Sequence, residues 1–344
     1  MEDYAEIQRI ALNDTIEGHK EAGEQIRYNF SILLNKEKEQ ASSYLLALTK
    51  DEHSGIRKGA ANTLGFAFKH MTDKVLATKY LLALTKDETS DVRRGATDAL
   101  GCAFQHVTDK DEASSELLAL TKDKDSGVRW RAAYALGSAF PLITDKVRAS
   151  EDLLKLTMDD DNLVRRGAVD ALGSAFPHIA DKVQASGYLL VLTNDGDRGV
   201  RWRAVDALGF AFPYVTNKVQ ASVDLLSLTR DEDNIVRRGA ADALGRAFQY
   251  MTDQEQAWNT LLVLMKDGDS LVQWAAADAL SLAFIHMNDK DSAWNDLVTL
   301  SKDADSDVRK RAADALGLAF EYVTDRVQAS QDLLELSKRR DSDG

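Results

Sequence analysis

Carboxylates and guanidinium groups recur along this chain at one spacing, and such pairs can cradle phosphate, relay protons or lock a fold. The arginines are Arg57, Arg93, Arg129, Arg165, Arg201, Arg237 and Arg309, with Gln273 in the one remaining place of a 36-residue register. Six residues before each stands an aspartate: Asp51, Asp87, Asp123, Asp159, Asp195, Asp231, Asp267 and Asp303. An active site needs one location, whereas this pair occurs in every unit, so its role is structural. A second column holds His70, His106, His178 and His286, with Leu142, Tyr214, Tyr250 and Tyr322 at the other equivalent places. Imidazoles can ligate metal, but stacked helices sit ~8–10 Å apart, too far for two of them to share an ion. Leu142 at the same site argues for packing. The chain carries no Gly-rich phosphate loop, no His-x3-His zinc helix and no nucleophile elbow. No catalytic residue, metal site or cofactor is assigned.

A fixed period of this length means supersecondary units stacked in a row. In the unit from Asp123 to Lys155, Ser126 is positioned to cap a helix whose Val128, Ala132, Leu136, Phe140 and Ile143 form one apolar stripe. Thr144, Asp145 and Lys146 then break the pattern, and Val147, Ala149, Leu153, Leu154 and Leu156 mark a second helix. Each unit is a helical hairpin that needs a neighbour to bury its stripes. Glycines 65, 101, 137, 173, 209, 245 and 317 fall inside the first helix of their units, at a cost of ~1 kcal/mol each against alanine, which points to close helix approach. Pro141, Pro177 and Pro213 share one site near the end of that helix, where proline stops or kinks the last turn and would set the middle units apart in curvature.

Composition removes several classes of function. Acidic residues number 56 against 43 basic ones, a net charge of -13. That disfavours nucleic acid or an anionic membrane held by overall charge. Cys102 is the lone cysteine, leaving no disulfide framework and no cysteine-based metal cluster. The opening MEDYAEIQRI lacks a secretory pattern, and no run approaches the ~20 apolar residues of a membrane span. The expected compartment is the cytoplasm.

The recurring Asp-x5-Val-Arg-x2-Ala-x3-Leu-Gly resembles the short HEAT-like repeat of bilin-lyase-related, archaeal and bacterial proteins, from about Asp51 onward. The resemblance implies an all-α fold, an α-solenoid of eight 36-residue hairpins wound as a right-handed superhelix. It also implies that the turn aspartate and the arginine of the next helix form a buried ladder: Asp51 and Arg57, Asp87 and Arg93, Asp123 and Arg129, Asp159 and Arg165, Asp195 and Arg201, Asp231 and Arg237, Asp303 and Arg309. The arginine helices would line the concave face. Residues 1–50 keep half the pattern, with Ala41 and Ser42 in register and Tyr28, Phe30 and Leu33 in place of the usual core. They are expected to form a degenerate cap, residues 51–338 the array, and 339–344 a polar tail. The His-Glu pairs by which HEAT-like hydroxylases bind iron are missing.

Positions that vary within the arginine helices carry the functional expectation. From the second unit to the sixth, Arg-Gly alternates with Trp-Arg, and Trp130, Trp202 and Trp274 lie 72 residues apart. With Arg131, Tyr134, Arg166, Arg203, Asp206, Phe210, Arg238 and Arg246, these tryptophans lie opposite the apolar stripe and form a candidate recognition strip for a protein or peptide. Duplication of a two-unit segment, with tryptophan shielding the adjacent arginine, explains the alternation as well. Trp258 and Trp294, on the second helices beside Glu255 and Asp291, read as core. The leading expectation is a non-enzymatic scaffold; a nucleic-acid-binding HEAT-like protein and a bilin-lyase-like enzyme are the alternatives.

Overall fold

The computed structural model describes residues 35–340, and the chain divides into two compact units, Met1–Ala180 and Asp181–Gly344. Among the described residues every regular element is helical, and two helix types alternate. Arginine helices include Ser90–Ala103, Ser126–Ala139 and Asn162–Ala175 in the first unit, and Arg198–Ala211, Asn234–Ala247, Ser270–Phe284 and Ser306–Ala319 in the second. Leucine helices such as Lys110–Leu120 and Lys218–Leu228 connect them. Within each unit, every arginine helix packs on the arginine helix of the next repeat. The fold is an all-α array of hairpins, as the periodicity requires. Tyr28, Phe30 and Leu33 of the expected cap, and residues 341–344 of the expected tail, lie outside the described residues, whereas Ala41 and Ser42 are buried.

Local chemistry explains each hairpin. Aspartates cap both helix types: Asp125 accepts from the Val128 N–H at 3.0 Å, and Asp145 accepts from the Arg148 N–H at 3.0 Å. The first helix therefore starts one residue earlier than expected, with Asp125 and not Ser126 as its cap, because a carboxylate at this place satisfies an otherwise orphaned N–H. At the far end, Phe140–Leu142 forms a 3-10 turn, and the same turn closes repeats without proline, such as Phe104–His106 and Phe248–Tyr250. The prolines thus do not set their units apart. They occupy the start of the 3-10 turn, where a missing N–H costs little.

The Asp/Arg ladder exists, but its rungs join different residues from those expected. Arg129 reaches forward to the aspartate of the following repeat, with Nε donating to Asp159 Oδ2 at 2.7 Å and Nη2 to Oδ1 at 2.8 Å. Its own repeat's Asp123 contributes only its backbone carbonyl, 2.9 Å from Nη1. The same fork joins Arg57 to Asp87, Arg93 to Asp123, Arg201 to Asp231 and Arg237 to Asp267. Each aspartate also accepts from a backbone N–H two residues on, as Asp123 does from Asp125 at 2.8 Å. Six residues of turn and helix point the arginine away from its own aspartate and across to the next. Burial works to raise the Asp159 pKa, but the Arg129 fork and the Asp161 N–H hold it below the ordinary carboxylate value. Where Gln273 replaces arginine, its Nε2 keeps the bond to the Asp267 carbonyl, and Lys266 reaches Asp303 at 2.6 Å instead. Arg309 binds the carbonyls of Asp303 and Ala304; 36 residues past Asp303 the sequence has Arg339 in place of an acid.

The glycines mark where these helices touch. A Cβ on Gly137 would lie 2.7 Å from the Ala171 Cα, and one on Gly245 would lie 2.8 Å from the Ala279 Cα. Only a hydrogen fits there. Gly317 has nothing within 4 Å of the same position.

Two expectations follow for stability. Gly137→Ala should lower the denaturant midpoint despite alanine's better helix propensity, whereas Gly317→Ala should raise stability by up to ~1 kcal/mol; equal shifts would contradict the close approach. Arg129→Ala should cost about 2–3 kcal/mol by leaving Asp159 without its fork, while Gln273→Arg, restoring a fork onto Asp303, should raise the midpoint in the same urea titration.

Candidate interaction surface

Three tryptophans of the expected strip project from arginine helices, and the structure separates their roles. In the first unit the Trp130 ring lies against Gly167 of the next repeat, where a Cβ would overlap it. In the second unit Trp202 lies against Gly239, with 2.7 Å from a built Cβ to the ring. The Arg131 guanidinium sits 4.9 Å over Trp130, and that of Arg203 sits 5.0 Å over Trp202. The alternation of Trp-Arg with Arg-Gly is therefore a packing device: a large ring needs a glycine beyond it, and the arginine covers its face. Trp130 is 36% exposed and Trp202 half-buried, so each contributes both packing and surface. Trp274, at 47% exposure, is the most open of the three.

The remaining strip residues fall into two groups. In the first unit, Tyr134 is 60% exposed, Arg131 lies 3.3 Å from Asp98, and Arg166 is half-buried. In the second unit, Arg246 ties two repeats together: Nη1 donates to Asp206 Oδ1 at 2.7 Å, and its guanidinium stacks 4.4 Å over Phe210. Arg238 is half-buried nearby in sequence register. Asp242 stands between Asp206 and Asp278 in the column of carboxylates. Burial raises its pKa, with Asp206 and Asp278 adding to the effect and Arg246 and Arg238 opposing it. Asp278 is raised by burial too, with Arg311 opposing and Asp314 adding.

A depression of ≈ 360 Å³ opens beside this group, lined by Phe210, Pro213, Arg246, Tyr250, Leu282 and Ile285 among others. Phe210, Leu282 and Leu318 are all more than half exposed. Tyr250, Ile285 and His286 belong to or adjoin the column expected to serve packing, yet they face solvent, as does Leu142 at 45%. The reason is local: in the repeats of Leu142 and Tyr250 the 3-10 turn carries that position off the buried stripe. In the seventh repeat the helix ends at Phe284 with the same result, leaving Phe248 and Phe284 inside. The signal available in sequence was the aromatic character of Tyr214, Tyr250 and Tyr322. Trp258 and Trp294 are core residues, 2% and 5% exposed, and their Nε1 groups donate to Asp296 and Asp332. Among the described residues no group of three or more potential metal ligands gathers, and no helix is long and apolar enough to cross a membrane.

A family model of HEAT repeats matches residues 78–173, 185–281 and 222–317. The chain belongs to the HEAT-repeat family. No curated protein matches it in sequence. Among solved structures, an engineered protein is similar at TM-score 0.59 and 24% identity, over 98% of this chain and 92% of that one. Yeast importin-beta, Kap95p, is similar at TM-score 0.70 and 14% identity, over 97% of this chain and 48% of that one. Escherichia coli YibA is similar at TM-score 0.60 and 17% identity, over 86% of this chain and 95% of that one. This HEAT-repeat chain thus spans about half the length of importin-beta, and these likenesses concern the fold.

The half-buried carboxylate of Asp242 generates a test with a definite sign. An acid whose folded pKa is raised loses stability when it ionises, and the penalty disappears once pH falls below both its folded and unfolded values. Asp242→Asn should therefore raise stability at pH 7, and its advantage over the parent should vanish on acidification; chemical denaturation at a series of pH values measures both.

Proposed function

We propose that this chain is a non-enzymatic scaffold that holds a protein or peptide on the exposed face of its arginine helices. The observation that carries this reading is the apolar depression of Phe210, Tyr250, Leu282 and Ile285, with Arg246 at its wall. Aromatic and aliphatic groups beside arginine are the chemistry of interface hot spots, and a large exposed apolar patch is uncommon on a surface with no partner. Yeast importin-beta, similar in fold, has been solved in complex with Nup1, an instance of a HEAT array carrying a protein. In this reading residues 1–50 close one end of the array and residues 51–338 present the surface, while 339–344 take no part.

Nucleic acid fits the surface less well. Arg94, Arg131 and Arg246 each sit beside a carboxylate, at 2.7, 3.3 and 2.7 Å from Asp125, Asp98 and Asp206 respectively. A cation already neutralised within the protein releases little counterion on meeting phosphate. Catalysis would call for a single distinctive site, and the repeated ladder supplies none.

Affinity capture from the native cell, followed by mass spectrometry, would identify the partner. Leu282→Asp should then weaken its capture by at least ~10-fold, or about 1.4 kcal/mol, with the thermal midpoint unchanged. Val263→Asp, at a more exposed position on a leucine helix, should leave capture intact. Equal capture by the two variants would reject the arginine-helix face as the binding surface.

A further inference from the structure

Repeats three, five and seven share a tryptophan at one position, but the seventh lacks two features of the others. Trp130 and Trp202 are each followed by an arginine that covers the ring, at 4.9 and 5.0 Å. Trp274 is followed by Ala275, and among the described residues no cation lies over its ring. In the repeat beyond, Trp130 and Trp202 meet glycine, whereas the place equivalent to Gly167 and Gly239 holds Arg311. The Trp274 indole is therefore neither seated in a glycine socket nor covered. It is 47% exposed, against 36% for Trp130.

What lies beside the uncovered ring is acidic. Trp274, Asp278, Ser281, Arg311, Asp314 and Leu318 line a small cleft on this face. Arg311 is the cation of that lining, against two carboxylates. The cleft itself has a volume of only ≈ 30 Å³, room for about a water. Resting on the reading of this face as a protein-binding surface, we propose that the exposed Trp274 ring at its rim receives an arginine side chain of the partner. The partner's guanidinium would stack on the indole and be neutralised by Asp278 and Asp314. The chain itself shows the fit, because in repeats three and five the same ring already carries a guanidinium from within. A cation over an aromatic face contributes more when carboxylates flank it and water is excluded. Asp278 also supplies a reason for the cleft to favour a cation: burial, with Asp314 adding, resists its ionisation more than Arg311 favours it, and an incoming positive charge relieves that resistance.

The cleft can be tested without knowing the partner. The probe is N-acetyl-arginine amide, with N-acetyl-citrulline amide as its neutral near-isostere, and the readout is the NMR shift of the Trp274 indole N–H. The arginine probe should give a saturable shift at Trp274, and the citrulline probe none. Ala275→Arg places the arginine of repeats three and five beside the ring, at a position that is fully buried here; with the helical circular dichroism retained, it should abolish the shift. Asp278→Asn should weaken the arginine probe several-fold while leaving the indole in place. Equal shifts from arginine and citrulline, no shift at tens of millimolar probe, or an undiminished shift in Ala275→Arg would each overturn the proposal. The broader reading is decided separately, by the effect of Leu282→Asp on partner capture: a silent probe with Leu282-dependent capture rejects only the arginine cleft.

Discussion

The forked bond from an arginine of one repeat to the aspartate of the next is the interaction on which the stacked architecture depends. It joins neighbouring hairpins at their turns. The aspartate that receives it also organises its own turn, accepting from the backbone N–H two residues on. One side chain therefore couples the shape of a turn to its distance from the preceding repeat. The guanidinium is fully used, with one edge on the neighbour's carboxylate and the remaining nitrogen on carbonyls of its own turn. That completeness is what makes a charge tolerable at such low exposure.

Packing between arginine helices is set by a second constraint, the contact of glycine with alanine. Backbones approach until Cα and Cβ atoms of one helix fill the place of a side chain on the other. The opposite surface of the same helices is then free to vary, since neither the ladder nor the apolar stripe uses it. Tryptophan, arginine and carboxylate residues accumulate there, and part of that variation is itself structural. Trp130 and Trp202 occupy space opened by glycines one repeat on, so their alternation reflects neighbouring volumes that must be complementary.

These layers were not equally visible in the residues. The hairpin and its two stripes follow from spacing alone, because 3.6 residues per turn leaves one way to bury Val128, Ala132, Leu136 and Phe140 together. Trp258 and Trp294 were legible as core since each replaces a lost aliphatic contact at the start of its helix. The rung partners were not: Asp123 and Asp159 are identical in sequence context, and only the direction taken by Arg129 distinguishes them. Likewise Leu142 and Tyr250 look like part of a packing column until the 3-10 turn rotates the position outward.

The sequence by itself determined the repeat and the helix types, because each follows from short-range geometry repeated with one period. Only the tertiary structure decided which aspartate each arginine meets, which tryptophan remains uncovered and where the apolar depression opens. Those outcomes depend on residues 30 or more positions apart coming side by side, as Arg129 meets Asp159 and as Trp274 and Arg311 come to line one cleft. A one-dimensional pattern gives the positions of such residues but not the directions of their side chains across the interface between repeats.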